Sequence, residues 1–297
     1  MADVTDGEQG AQAAPAAKKK RHAVLAAFGD NPLAAIGSVG VFFFLFLTLF
    51  GPLLAPYPYD QVIRGTDIGL ESRRALTSQP PSTDFLFGTD QRGRDIFSRM
   101  LWGARETLGL PLIATAISVV LGAFLGLFIG YVGGAIDDVI SRLLDSLISI
   151  PAMVLALVMI STIVPLLSAS GSAAVEVIGA SNISLTSVIV LIYVPIISRV
   201  ARSATLSVRE RGYIEEARLR GEGTLHILFR QILPSVLPAL IVEAALRLSY
   251  AIILVTSLGF LGLGVQPPSA EWGRMVLDAR TQIGEAPWEL WYPVLGI

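Results

Sequence analysis

A chain of 297 residues with 53% apolar and 15% charged residues, at a mean hydropathy of +0.64, is too apolar for a water-soluble domain, which carries roughly a quarter of its residues as charges. A formal net charge of −2 gives no reason to expect nucleic acid as a partner. With no cysteine, two distant histidines (His22 and His226) and lysines only at positions 18–20, the chain excludes disulfides, a thiolate or zincin metal site, a histidine triad and a GxxxxGK[ST] phosphate loop, so any ATP must be bound by another protein.

Residues 1–32 read as a polar N-terminal tail whose basic run Lys18-Lys19-Lys20-Arg21 precedes an apolar stretch. In that position it is a cytoplasmic topology anchor rather than a nucleic-acid signal. The first span covers 33–55 and is too long for a signal-peptide core, so it is expected to stay as an uncleaved anchor ended by Pro52, Pro56 and Pro58. Residues 56–104 are polar, mixed in charge and turn-rich around Gln79-Pro80-Pro81-Ser82. Such backbone has no partners in lipid, which places the segment outside the bilayer.

Residues 105–297 form the helical core. The second span runs from Leu108 to Ile129 and breaks at Gly130, Gly133, Gly134, Asp137 and Asp138. A third follows from Leu143 to Ile163, with Pro151 expected to kink it by removing a backbone hydrogen bond. After a small-residue loop (169–182) come a fourth span (185–200), an arginine-rich amphipathic segment (199–230), a fifth span (234–258) and a polar Gly/Pro-rich loop (259–287). The apolar stretch from Trp288 has ten residues, about half of what a crossing helix needs. The sequence is therefore expected to stop inside a sixth helix. The fold class is an all-α membrane protein of about six spans, the last truncated. The basic tail and the arginines after span four are separated by an even number of spans, so both face the cytoplasm. The outer loop still holds arginines 64, 73, 74, 92, 94 and 99, balanced by nearby carboxylates.

Several residues within the spans stand out. Gly122, Gly126 and Gly130 make a small-xxx-small stripe that suits close helix packing. Asp138 and Asp145 lie about one turn from Arg142, so mutual pairing is expected. Glu243 and Arg247 fall in span five at i,i+4 spacing, where unpaired charges cost roughly 2.5 to 3.5 kcal/mol each. They are candidates for a translocation path, the alternative being a self-neutralising pair that packs against a partner.

The segment Tyr213-Ile-Glu-Glu-Ala-Arg-Leu-Arg-Gly221, followed by Gln231-Ile-Leu-Pro234, resembles the EAA loop of ATP-binding-cassette importer permeases. Glu215, Ala217, Gly221, Leu233 and Pro234 match the pattern, and Glu216 and Gln231 depart from it. The spacing suits a short helix ended by Gly221, with Ala217 keeping its face flat against a partner groove and Glu215 offered to an arginine there. Phe87-Gly-Thr-Asp-Gln-Arg-Gly-Arg-Asp95, Ser98-Arg99, Gly103-Ala-Arg105, Gly130-Tyr-Val-Gly-Gly134, Phe260-Leu-Gly-Leu-Gly-Val-Gln-Pro-Pro268, Trp272-Gly273 and Ala286-Pro-Trp288 are similar to the dipeptide, oligopeptide and nickel subfamily, and favour the second of its two paired permeases. Members often carry an acid where Val255 stands, so their substrate contacts do not transfer there.

The resemblance implies ATPase-coupling residues Glu215, Glu216, Ala217, Arg220, Gly221, Leu233 and Pro234. It implies a homologous second permease, two ATPase subunits holding ATP and Mg, an extracytoplasmic binding protein, and a bacterial inner-membrane setting with the N-terminus inside. This chain would have no catalytic residue, metal or cofactor of its own. Small peptides are the expected cargo, with nickel chelates or another small ligand as the alternative. An ion-gradient transporter is the rival of a different class, but it needs mid-membrane ion ligands, for which Glu243 and Arg247 are the only candidates. An intramembrane protease would need a HExxH or GxSxG motif, and neither occurs.

Overall fold

The computed structural model describes residues 32–69 and 74–297. The tail with Lys18 to Arg21, and Glu71 and Arg73 between the first two spans, lie outside the described residues. Contacts divide the chain into units of residues 1–45 and 46–297. In the first, the described residues belong to α1 (Pro32–Leu54), whose Leu33, Ile36, Val39, Phe42 and Phe43 are all exposed. An apolar surface of that kind requires lipid or another protein against it.

The second unit is built on three long helices: α2 (Ile96–Val132), α6 (Ala180–Arg209) and α8 (Thr224–Phe260). With α1 and α4 (Ala152–Ser170) they make five helices long and apolar enough to cross a membrane. Among the described residues there is no sheet. Asp95 starts α2 by accepting from the Ser98 amide at 2.8 Å and the Ser98 hydroxyl at 2.6 Å. Gly133 and Gly134 end it at φ +67° and +65°, a left-handed pair that residues with a Cβ adopt only at a cost. The buried core (Leu127, Ile160, Leu185, Val188, Ile189, Ile197, Leu240, Leu254, Val255) is shared among α2, α4, α6 and α8.

Two expectations are corrected here. The third span is not one kinked helix: an amphipathic helix, α3 (Gly134–Ile148), turns aside before α4 begins. Pro151 is the N-cap of α4, where its missing N–H costs nothing, so it separates two helices rather than bending one. Residues 259–287 are not simply loop, because α9 (Trp272–Ala279) forms within them and precedes α10 (Trp288–Gly296). The small-residue loop also contains a short helix, α5 (Ala173–Ile178).

The separate motifs of the segment between α1 and α2 converge on one buried polar cluster. Arg99, 1% exposed, donates to the carbonyls of Tyr59 (2.8 Å) and Ser269 (2.9 Å) and lies 3.9 Å from Asp90. Arg94 pairs with Asp90 at 2.7 Å, and Glu289 accepts from Ser78 and the Gln91 amide. Trp272 donates from Nε1 to the Met100 carbonyl at 3.1 Å, beside Gly103, where a Cβ would lie 2.2 Å from the Ala270 carbonyl oxygen. Phe87 stacks on Tyr292 at 3.9 Å. Charges buried this deeply hold only when mutually paired, so residues 57–69, 74–99 and 266–292 fold as one cap where α2 begins and α8 ends.

Candidate functional site

The amphipathic segment folds as α7 (Gly212–Leu219) at the end of the bundle where α2 and α6 finish and α8 begins. Ile214 and Ala217 are fully buried against the chain's own core. The assignment of Ala217 to a partner-facing surface is therefore corrected: its small side chain lets α7 lie close to its own bundle. Glu215, Glu216, Leu219 and Arg220 are exposed, with Leu219 at 82%.

The C-terminus of α7 is a Schellman cap. The Gly221 amide donates to the Arg218 carbonyl at 2.9 Å and the Glu222 amide to the Ala217 carbonyl at 3.1 Å. This geometry puts Gly221 at φ +75°. Glu222 then gathers its neighbours: Arg220 at 2.8 Å, Gln231 by hydrogen bond and His226 at 3.6 Å. Its carboxyl is held below the usual range, chiefly by the hydrogen bond from Arg220. Arg220 also lies 3.9 Å from Glu216. Gln231 and Glu222 thus tie α7 to the start of α8.

That start is irregular. Residues Ile227–Ile232 form a π-helical turn just before Leu233 and Pro234. Pro234 has no N–H to give the carbonyl four residues back, and a π turn is one way the backbone absorbs such a loss. Leu233 is half-buried and Pro234 exposed.

Other contacts link α7 and α6 to the end of α2. Arg218 donates to the Tyr131 hydroxyl at 3.2 Å and stacks over its ring at 4.6 Å, and Arg209 donates to the Gly130 carbonyl at 3.0 Å. The expected pairing of Asp138 and Asp145 with Arg142 is replaced by pairs across helices. Arg202 forks onto Asp137 (2.7 Å to Oδ2) and Arg199 reaches Asp145. Asp137 is 5% exposed, and its carboxyl is held low mainly by the Arg202 hydrogen bond.

The glycine stripe faces α6. A Cβ at Gly122 would lie 2.8 Å from the Ile197 Cβ, at Gly126 2.3 Å from the Ser198 carbonyl oxygen, and at Gly130 2.9 Å from the Thr205 Cβ. Glu243 and Arg247 approach to 2.6 Å on α8, without hydrogen-bond alignment, and Arg247 lies near the rings of Tyr250 (5.1 Å) and Tyr193 (5.8 Å). Neither charge lines the large cavity of about 810 Å³ at the N-terminal ends of α2 and α6, whose walls include Tyr59, Trp102, Arg105, Glu106, Asn182 and Ser187.

A family model described as "Binding-protein-dependent transport system inner membrane component" matches residues 118–283, and one described as "N-terminal TM domain of oligopeptide transport permease C" matches residues 22–81. The chain belongs to this family of transport-system membrane components. It is 36% identical over 267 residues to the dipeptide transport system permease protein DppC of Alkalihalophilus pseudofirmus, covering 90% of this chain and 80% of that one. It is also 36% identical over 269 residues to the di/tripeptide transport system permease protein DppC of Pseudomonas aeruginosa, covering 88% and 81%. A solved inward-facing MetNI methionine ABC transporter matches with a TM-score of 0.48 and 21% identity, over 66% of this chain and 86% of that one, a likeness that bears on no individual residue. As a member of this family with five apolar spans among its described residues, the chain is a multi-pass membrane protein.

The sequence did not point to Glu222 or Tyr131 as parts of this family member's α7 site. A carboxylate directly after a helix-ending glycine is a weak signal for the first. The second lies within the motif Gly130-Tyr-Val-Gly-Gly134, but 87 residues from Arg218 in sequence, and no local spacing links the two.

Proposed function

We propose that this chain is the permease subunit of an ATP-binding-cassette importer that brings small peptides into a bacterial cell by alternating access. One observation carries the reading. A short helix is clamped to its own bundle through Ile214 and Ala217 and presents Glu215, Glu216, Leu219 and Arg220 outward, an exposed face of mixed charge with an apolar side chain at its centre. Such a helix is a handle for a separate subunit.

In this reading α7 faces the cytoplasm of a cell whose inner membrane holds the complex, and two ATPase subunits bind ATP and Mg and receive α7 in a groove. Their closure moves α7, and Glu222–Gln231 and Arg218–Tyr131 pass the movement to α8 and α2. A homologous second permease completes the path, lipid covers the remaining apolar faces, and an extracytoplasmic binding protein delivers cargo to the outer cap. Glu243 and Arg247 are half-buried on α8, with Arg247 5.8 Å from the Tyr193 ring of α6, and as a self-screened pair they lie where the α6–α8 packing must shift during transport. No residue of this chain performs chemistry. Peptide as cargo is supported by the names of the relatives, whose matches run nearly the length of this chain.

Reconstitution of the complete complex into proteoliposomes tests the proposal. Accumulation of a labelled dipeptide should require ATP and the binding protein. Accumulation driven by an ion gradient without ATP overturns it.

A further inference from the structure

We propose that the cavity at the N-terminal ends of α2 and α6 receives the free carboxylate of a peptide on Arg105. This rests on peptide import as the function and adds the group that recognises the cargo. At about 810 Å³ the cavity lies in the size range of small-ligand sites. Its floor is apolar, with Leu110, Ile113 and Ile117 on one side.

Charge is what gives the cavity a preference. Its two ionised side chains are adjacent in sequence but differently engaged. Glu106 accepts from the Ser269 hydroxyl and, at 2.8 Å, from the Ala270 amide, both at Oε2, so its carboxylate is fixed on the 266–271 segment, keeps its charge, and makes no ion pair with Arg105. Arg105 is exposed, and among the described residues it has neither an ion pair nor a hydrogen bond. The cavity therefore carries one uncommitted cation, whose planar fork matches a carboxylate.

The remaining polar groups favour a peptide over a lipid acyl chain. Asn182 donates its amide to the Ile178 carbonyl at 2.9 Å and Ser187 its hydroxyl to the Ile183 carbonyl at 2.8 Å. Both keep acceptor lone pairs, which suit the N–H and ammonium groups of a peptide. An acyl chain has no use for them. Tyr59 and Trp102, with ring centroids 5.3 Å apart, supply an aromatic wall for an apolar side chain.

The test is equilibrium binding of radiolabelled leucyl-leucine and of its C-terminal amide. The sample is the assembled transporter in nanodiscs without the binding protein, so that selectivity comes from the membrane part alone. Wild type should bind the free acid roughly ten- to a hundred-fold more tightly than the amide, as one charge-assisted pair implies. Arg105→Gln should abolish that preference while binding of the amide stays at the wild-type level, and Arg105→Lys should keep part of it. Equal binding of acid and amide by wild type, a preference that survives Arg105→Gln, or an equal loss for both peptides overturns the proposal. In the complete system with its binding protein, failure to import leucyl-leucine removes the peptide reading itself. Import with no acid preference at the permease removes only this site.

Discussion

Replacing Gly126 with alanine places a methyl carbon 2.3 Å from the Ser198 carbonyl oxygen, 2.6 Å from the Ala201 Cβ and 2.9 Å from the Arg202 amide nitrogen. Two of these neighbours are backbone atoms of α6, which cannot rotate away as a side chain could. An ordinary contact needs about 3.4 Å, so α2 and α6 must separate by about 1 Å at this level. Overpacking of this size costs roughly 1 to 3 kcal/mol, against a gain of roughly 0.5 to 1 kcal/mol from removing a glycine inside a helix. The net effect is a loss of about 1 to 2 kcal/mol, since the closest neighbour is rigid. Gly109→Ala on the same helix is the control, because nothing lies within 4 Å of its Cβ position. It gains the propensity term alone. Thermal unfolding of the purified protein in detergent should rank Gly109→Ala at or above wild type and Gly126→Ala below it. Gly126→Ala matching Gly109→Ala would show that the stripe is not a packing surface.

Gly221→Ala forces a Cβ into a left-handed position at roughly 1 to 2 kcal/mol, and should lower uptake per ATP hydrolysed while leaving the amount of assembled complex unchanged. Arg99→Met leaves Asp90 short of a cation and two buried carbonyls unpaired, a loss of roughly 3 to 5 kcal/mol; limited proteolysis should then cut within residues 57–95. Burial pushes the Glu271 carboxyl from 4.5 up to about 7, despite its hydrogen bonds from the Gly273 and Arg274 amides. The folded state therefore binds more protons than the unfolded one between those values, and stability should fall as pH rises from 4.5 to 7, then level off. Melting temperatures at pH 5 and pH 8 should differ less in Glu271→Gln than in wild type.

The spans were legible because an apolar run of crossing length has few other uses, and the stripe at 122, 126 and 130 was legible because its spacing keeps one face. Pro151 was misplaced because a proline within an apolar pattern reads equally as a kink or as the start of a new helix. The helix Trp272–Ala279 was hidden by the glycines and prolines around it. It forms because Trp272 is buried against α2, a contact made by residues some 170 apart. Ala217 was assigned to the wrong face because a small residue suits a close approach to either side. The arginine pairs 202–137 and 199–145 join residues far apart in the chain, which no local periodicity records.

Site-specific cross-linking tests the account most directly, since a chain with no cysteine allows single thiols to be placed without background. Cysteines at Glu216 and Leu219 should each cross-link to a nucleotide-binding subunit in the assembled complex, with a yield that changes on adding ATP, while a cysteine at the buried Ala217 should not. Cross-links absent from both exposed positions, with the complex intact and transporting, would contradict the claim that α7 is the surface through which ATP hydrolysis moves this permease.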